Sequence, residues 1–305
     1  MSKGRPENII VGYDGGEAAQ YVARVSLDMQ ARFGARVEFV HAVDIPRPET
    51  VAGRPDRVAE MQAEIEAGAW EQLAQQLESV ASEMGVDHPV RDHLRVAVGH
   101  PAQILVSRAK ETQADLLLIG PHRRRGLLDF GSTARAILGK SPCDVWVQPE
   151  APREIKRILV PTDMSEDSLL ALHTACDLAS EYGAKVTALH CFMPPDLAYA
   201  ASPGYPIAGP TYVIDDVRKI ASEEFDNAMA DFDWKAVDHD QRFVEGRPQE
   251  AILGLQDETD LIAMGSHGRT GLSAAVLGNV AYSVLRGAHV PVLAIRHAKR
   301  SWLLS

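Results

Sequence analysis

Glycines at a fixed spacing form the part of the sequence best suited to binding chemistry. The run Gly265-Ser-His-Gly268 follows a short apolar segment, and Gly278-Asn279 comes after nine further residues. Glycine lets a backbone turn and approach a ligand without an intervening side chain. A helix that begins at Asn279 offers unpaired amide groups and a partial positive charge to an anion. The pattern predicts a phosphate chain over residues 265–268, although the glycines alone could simply form tight turns.

The elements that must position this loop belong to a repeat. Ile9-Ile-Val-Gly-Tyr-Asp14 matches Ile158-Leu-Val-Pro-Thr-Asp163, with the aspartates 149 residues apart. Asp115-Leu-Leu-Leu-Ile-Gly120 likewise matches Asp260-Leu-Ile-Ala-Met-Gly265 at an offset of 145 residues. Matched segments in the same order indicate a tandem duplication. We therefore expect two domains, residues 1–150 and 151–305, joined near Pro149-Glu-Ala-Pro152.

Each half alternates short Val/Ile/Leu runs with longer amphipathic stretches, which is typical of parallel strands joined by helices. Strands are expected in the first half near 8–13, 36–42, 92–98, 115–120 and 144–147, and in the second near 156–161, 185–191, 240–244, 260–264 and 291–295. Each domain is predicted to be Rossmann-like α/β, a five-stranded parallel sheet with helices on both faces. Ligands bind such sheets beyond the carboxyl ends of the strands. Pro161-Thr-Asp163, Cys191 and the glycine loop hold those positions in the second half.

The second-half loop resembles a known nucleotide loop. Ala263-Met-Gly-Ser-His-Gly-Arg-Thr-Gly-Leu, followed by Val276-Leu-Gly-Asn, is similar to the Gly-x2-Gly-x9-Gly-(Ser/Thr) motif of the universal stress protein family. The resemblance covers essentially the whole chain twice, as in tandem, E-type members. It implies two Rossmann-like domains and, in the ATP-binding branch, ATP at the strand ends, with magnesium as a companion ion. The sequence departs from the motif at Asn279, whose amide can still donate a hydrogen bond.

The resemblance also implies roles for single residues. Asp163 and the backbone at Cys191 would contact the adenosine, while Gly265, Gly268, Gly278 and Asn279 would contact the ribose and phosphates. The full candidate cofactor-binding set is Pro161, Thr162, Asp163, Cys191, Met264, Gly265, His267, Gly268, Arg269, Gly278, Asn279 and Val280. No catalytic or metal-binding residue is predicted, since the loop holds no evident general base and no Walker-B-like aspartate. We expect at most slow ATP hydrolysis.

The first-half loop departs further from the motif. It reads Gly120-Pro-His-Arg-Arg-Arg-Gly126, with Arg123 in place of the second glycine and only seven residues before Gly131. An arginine there places a side chain where a phosphate should approach backbone amides. We favour a degenerate half retained for pairing. The alternative is a small anion pocket formed by His122 and the three arginines, although such runs are more often solvated turns.

Composition limits the classes of function. The 305-residue chain carries a net charge of −11, which opposes binding to nucleic acid or anionic membranes. No apolar run approaches the ~20 residues of a membrane span, and the N-terminus lacks a secretion signal. Cys143, Cys176 and Cys191 form no Cys-x-x-Cys pair, which argues against a disulfide framework or a cysteine zinc site. The sequence predicts a cytoplasmic protein.

The leading hypothesis is a stress-response protein that binds an adenine nucleotide in its second domain. The alternative is an interaction or small-ligand-binding protein without ATP, using the proline-rich segment 192–210. Nucleotidyl transfer lacks support, because no His-x-Gly-His or Ser-Gly-Gly-x-Asp-Ser motif occurs. The halves are expected to pair within the chain through their last strands, leaving a homodimer open and protein partners unidentified. His41 and His190 are expected to be hydrogen-bonded strand-end residues, and Cys191 a packing residue.

Overall fold

The computed structural model describes residues 5–44, 55–87, 89–120, 123–124, 127–128, 132–194, 211–266 and 277–296. They fall into two compact units, the first running from Arg5 to Pro152 and the second beginning at Arg153. Both units have a parallel sheet built from strands that alternate with helices. No helix among the described residues is both long and apolar enough to cross a membrane.

The first unit contains a parallel sheet with the strand order β7-β4-β1-β2-β3. A short antiparallel hairpin pairs β5 with β6. The elements are β1 (Asn8–Gly12), α1 (Glu17–Phe33), β2 (Arg36–Val43), α2 (Pro55–Glu83), β3 (Leu94–Val98), α3 (Pro101–Glu111), β4 (Leu116–Ile119), β5 (Arg123–Arg124), β6 (Leu127–Leu128), α4 (Ser132–Lys140) and β7 (Asp144–Val147).

The second unit repeats this plan with the strand order β10-β9-β8-β11-β12, again all parallel. The elements are β8 (Arg157–Pro161), α5 (Glu166–Tyr182), β9 (Lys185–Phe192), α6 (Thr211–Ala230), β10 (His239–Glu245), α7 (Pro248–Gly254), β11 (Leu261–Gly265), α8 (Asn279–Gly287) and β12 (Val292–Ile295). In both units the first strand lies at the centre, with the second and fourth strands on either side of it.

The central strands form the core of each unit because both of their faces are covered. All four residues of β4 are buried, as are Ile158, Leu159 and Val160 of β8. Buried side chains on both faces require helices on both sides of a sheet. Pro101 and Pro248 occupy the first turns of α3 and α7, where their missing amide hydrogens cost no helical bond.

The parallel α/β fold predicted from the alternation of apolar and amphipathic segments is confirmed. One boundary was placed too early, since the strand expected near 92–98 begins only at Leu94. The preceding residues Val90–His93 form a 3-10 turn that buries Val90. The hairpin of β5 and β6 was not predicted, because its strands are only two residues long and carry no periodic pattern.

Candidate functional site

Three strand ends of the second unit lie side by side. Strand β8 pairs with β9 on one side, with Pro161 opposite Leu189, and with β11 on the other. Cys191 lies near the end of β9, and Gly265 ends β11. The structure therefore brings the candidate positions Pro161, Cys191 and Gly265 to one edge of the sheet, where the sequence predicted them.

A turn with its own hydrogen bonds follows β8. The Thr162 amide donates to the Leu189 carbonyl at 2.8 Å, which extends the pairing of β8 with β9 beyond the strand. The Thr162 hydroxyl accepts a bond from the Met164 amide at 3.0 Å and lies 3.0 Å from the Ser168 hydroxyl. Met164 has a φ of 62°, in the left-handed region that side chains rarely adopt. These contacts stabilise the turn between β8 and α5.

Asp163 lies in this turn, and its carboxylate is hydrogen-bonded to the residue that caps the next helix. Its Oδ1 accepts hydrogen bonds from the Ser165 amide at 3.1 Å and from the Ser165 hydroxyl at 2.5 Å. Ser165 is also the N-cap of α5, because its hydroxyl oxygen accepts from the Ser168 amide. The predicted adenosine residue is thus tied to the start of a helix. Sequence reasoning missed Ser165 and Ser168, although a serine just before a periodic apolar segment is a helix-start signal.

The two ends of the glycine loop are joined. The Ser266 amide donates to the Ile295 carbonyl at 2.9 Å, and the Gly278 amide donates to the Ser266 carbonyl at 2.9 Å. Gly278 is the N-cap of α8 and supplies no side-chain cap. Asn279 is the first residue of α8, as the spacing predicted. The predicted site residues His267, Gly268 and Arg269 lie outside the described residues.

Gly265 has a packing role of its own. A Cβ atom added at Gly265 would lie 3.1 Å from the backbone carbon and oxygen of Asp167. In the first unit a Cβ at Gly120 would lie 2.7 Å from the Cβ of Ala18. The end of the fourth strand therefore touches the first turn of the first helix in both units. This contact accounts for a glycine at both positions without a ligand.

The two strand-end histidines make the same bond in each unit. His190 Nδ1 lies 2.8 Å from the Thr162 carbonyl oxygen, and His41 Nδ1 lies 3.0 Å from that of Tyr13. The predicted structural role as hydrogen-bonded strand-end residues is confirmed. The His190 ring also lies 5.5 Å from the ring of Phe225 and 5.6 Å from that of Phe243, measured between centroids. These aromatic neighbours come from distant segments and had no sequence signal.

Cys191 is half-buried, and burial raises the pKa of its thiol to about 11. A thiol with this pKa is protonated at neutral pH and is a poor nucleophile or metal ligand. A half-buried, protonated thiol fits the predicted packing role of Cys191, and a ligand contact through its backbone stays a prediction.

The first unit carries different side chains at the equivalent positions. Asp14 Oδ1 accepts one bond from the Gly16 amide at 2.9 Å, and Gly16 gives α1 no side-chain cap. Tyr13 replaces Thr162 and is buried against Phe39, with ring centroids 5.8 Å apart. Burial, with a smaller contribution from the charge of Asp14, raises the pKa of Tyr13 to about 12. The turn of the first unit thus lacks the hydroxyl groups found in the second.

The first-half loop contains the β5–β6 hairpin, with Arg123 paired to Leu128 and Arg124 to Leu127. His122, Arg125, Gly126 and Gly131 lie outside the described residues. The backbone pairing at Arg123 differs from a loop whose amides are open to a phosphate. Whether this half is degenerate or holds an anion pocket stays a prediction.

Comparison with known proteins gives the same family for both halves. The model of the universal stress protein family matches residues 6–149 and again residues 154–296. A universal stress protein of Mycobacterium tuberculosis is 25% identical over 98% of this chain and 100% of its own length. A universal stress protein of Methanocaldococcus jannaschii is 34% identical over 48% of this chain and 84% of its own length.

The fold has a similar counterpart among solved structures. A universal stress protein of Archaeoglobus fulgidus superimposes with a TM-score of 0.61, covering 95% of this chain and 96% of that one. The sequences are only 18% identical, so this likeness concerns the fold.

Proposed function

The chain is a tandem member of the universal stress protein family, and we propose that its second unit binds an adenine nucleotide beyond the carboxyl ends of β8, β9 and β11. One observation carries the proposal. The 2.9 Å hydrogen bond from the Gly278 amide to the Ser266 carbonyl holds the start of α8 against the end of β11. An N-terminus without a side-chain cap then lies at the sheet edge where ligands of such folds bind.

The phosphate end of the ligand belongs at α8. The amides of Asn279 and Val280 lie in the first turn of this nine-residue helix, where the helix dipole favours an anion. A micromolar dissociation constant needs about −8 kcal/mol. One hydrogen bond to a charged group contributes about 1.5–3 kcal/mol, so several amides must act together. Further amides would come from the loop between Gly265 and Gly278. His267, Gly268 and Arg269 belong to that loop in sequence.

The base and ribose end belongs at β8 and β9. Ionised Asp163 can only accept hydrogen bonds, which suits the exocyclic amino group of adenine. Pro161 and Thr162 precede Asp163 at the strand end, and Met264 lies directly before Gly265 on the neighbouring strand. The backbone at Cys191 offers further polar groups on the other side. The acceptor character of the Asp163 carboxylate therefore favours a base that donates a hydrogen bond.

Magnesium would be held mainly by the nucleotide. Among the described residues no group of three His, Cys, Asp or Glu side chains is placed to hold a metal ion. We infer that an ion arriving with ATP is coordinated by phosphate oxygens and water. The sequence of the loop offers no evident general base, so we expect at most slow ATP hydrolysis.

The test is titration calorimetry of the full chain with ATP. We expect one site per chain, because Arg123 replaces the corresponding glycine in the first half. Gly268→Arg copies that difference into the second half and should weaken binding at least about tenfold, or ~1.4 kcal/mol. Gly254→Arg is the matched control, since a Cβ at Gly254 meets no atom within 4 Å and α7 ends there, before β11 begins.

Three outcomes would contradict the proposal. Undetectable ATP binding by the folded wild-type chain would contradict the proposed function. Two equivalent ATP sites would contradict the expected difference between the two halves. Unchanged binding by Gly268→Arg would show that the glycine loop is not the phosphate site. The second candidate function, binding of a protein partner, would then take precedence. It is favoured by three exposed apolar side chains, Met193, Val217 and Ile220.

A further inference from the structure

The Asp163 carboxylate is restrained by one neighbour more tightly than its counterpart in the first unit. Ser165 gives Oδ1 two hydrogen bonds, from its amide at 3.1 Å and from its hydroxyl at 2.5 Å. The shorter distance is typical of a hydroxyl that donates to a charged carboxylate. In the first unit Asp14 Oδ1 accepts from the Gly16 amide at 2.9 Å, and Gly16 has no hydroxyl to donate a second bond. The Ser165 hydroxyl is therefore a donor to the aspartate that the matching residue of the first unit cannot supply.

Ser165 is itself fixed by the helix that it caps. Its hydroxyl oxygen accepts from the Ser168 amide at 3.4 Å, and as a donor it lies closer to Asp163 Oδ1, at 2.5 Å, than to the Ser168 hydroxyl oxygen, at 3.4 Å. The Ser168 hydroxyl in turn donates to the Ser165 carbonyl at 3.0 Å and lies 3.0 Å from the Thr162 hydroxyl. Hydrogen bonds therefore run without a break from α5 through Ser165 to the Asp163 carboxylate. Because these bonds already hold the carboxylate in place, it loses little additional conformational freedom when a ligand binds.

We propose that Ser165 is a positioning residue that aims the Asp163 carboxylate at the amino group of adenine, and so sets the choice of nucleobase. This inference rests on the proposed function of the second unit. An adenine amino group donates to the carboxylate, whereas the carbonyl oxygen at the same place in hypoxanthine or guanine would face it as a second acceptor. An acceptor that is fixed in direction discriminates between the two, because a buried polar group facing the wrong partner loses its hydrogen bond.

The duplication provides the matched variants. Ser165→Gly copies Gly16 of the first unit, and Ser168→Ala copies Ala19. Glycine is nearly as good as serine at an N-cap, so Ser165→Gly removes the hydroxyl with little loss of helix stability. Ser168→Ala removes a hydroxyl from the same network without touching Asp163. Ser165→Thr retains a hydroxyl and serves as the rescue variant.

The experiment measures dissociation constants of the full chain for ATP and for inosine triphosphate. We expect the wild type to prefer ATP by at least about tenfold, the lower end of what a hydrogen bond to a charged group contributes. Ser165→Gly should reduce that preference to about twofold or less, mainly through weaker ATP binding. Ser168→Ala and Ser165→Thr should keep it. A purely structural role would weaken both ligands equally and leave the ratio unchanged.

The outcomes separate this inference from the proposed function. If the wild type binds neither nucleotide, both are wrong. If it binds both nucleotides equally, the nucleotide site stands and the base-selecting role of Asp163 is overturned. If Asp163→Asn abolishes the preference but Ser165→Gly retains it, Ser165 does not position the carboxylate. An equal loss of preference in Ser168→Ala would assign the effect to the whole hydroxyl network and overturn the role of Ser165.

Discussion

Replacing Asp260 tests a partly buried charge cluster at the amino-terminal edge of the second sheet. Asp260 is only 5% exposed, directly before β11. Its carboxylate accepts from the Lys156 amide at 3.1 Å and from Arg157 Nη2 at 2.8 Å. Arg153 Nε lies 3.8 Å away. These bonds tie the start of β11 to the start of β8, so their loss should loosen the centre of the sheet.

The magnitude follows from the solvent exposure of the partners. Asp260→Asn removes the charge while leaving an oxygen that can accept from the Lys156 amide. The Arg157 side chain is 49% exposed and can return to water, so no buried cation is left unpaired. We expect a loss of about 1.5–3 kcal/mol in the free energy of unfolding, the contribution of hydrogen bonds to a charged group.

The pKa of Asp260 determines how its contribution to the free energy of unfolding changes with pH. Burial alone raises the pKa of Asp260, but hydrogen bonds from Arg157 and the Lys156 amide, with the charges of Arg157 and Arg153, bring the net pKa below its usual value. A carboxyl whose pKa is lowered on folding stabilises the protein above its unfolded pKa of about 3.9. That stability is lost as the pH falls through the folded pKa. The cost of Asp260→Asn should therefore shrink toward zero in acid.

Urea unfolding at pH 7 and at several pH values below 4 measures this cost. Asp115→Asn is the control, because Asp115 occupies the same place in the first unit and, among the described residues, accepts from the backbone amides of Glu7 and Asn8, both at 2.9 Å, rather than from an arginine. A cost for Asp260→Asn below about 0.5 kcal/mol at pH 7, within the usual range of surface substitutions, would refute the reasoning. A cost that is the same at pH 7 and pH 3 would refute the electrostatic part.

Two further predictions concern single residues. Gly15→Ala should destabilise the first unit by more than the ~1–2 kcal/mol that a side chain in the left-handed region costs, because Gly15 has a φ of 75° and its added Cβ would lie 2.4 Å from Gln76 Oε1 and 2.7 Å from Leu73. Thermal unfolding measures this loss of stability. Met164→Ala is the control, because Met164 already has a side chain at a φ of 62°. Cys191 should react with iodoacetamide far more slowly at pH 7 than free cysteine does, since burial raises its pKa to about 11. Fast alkylation in the folded protein would contradict the burial of the thiol.

The sequence was sufficient for the parallel sheets because buried strands have a simple signature. A run such as Leu116–Ile119 is apolar at every position, which suits only a strand covered on both faces. The start of α8 could also be predicted from the sequence, since Gly278 and Asn279 stand at the beginning of a strongly amphipathic segment. The hydrogen bonds among Thr162, Ser165 and Ser168 were harder to predict. Thr162 and Ser168 touch only because the turn after β8 folds back, and that geometry depends on the left-handed backbone of Met164.

The duplication separates what the fold requires from what differs between the sites. Both units tie the strand-end histidine to the carbonyl before the aspartate, and in both the aspartate accepts an amide two residues on. The left-handed turn and the close-packed glycine at the end of the fourth strand are also shared by both halves, and both have a structural explanation. In the turn after the first strand, the second unit has Thr162, Ser165 and Ser168 where the first unit has Tyr13, Gly16 and Ala19. The first unit forms the same strand-turn-helix arrangement with Gly16 as its N-cap, so the fold does not require the Ser165 hydroxyl, which is why Ser165→Gly can test its proposed role in orienting Asp163.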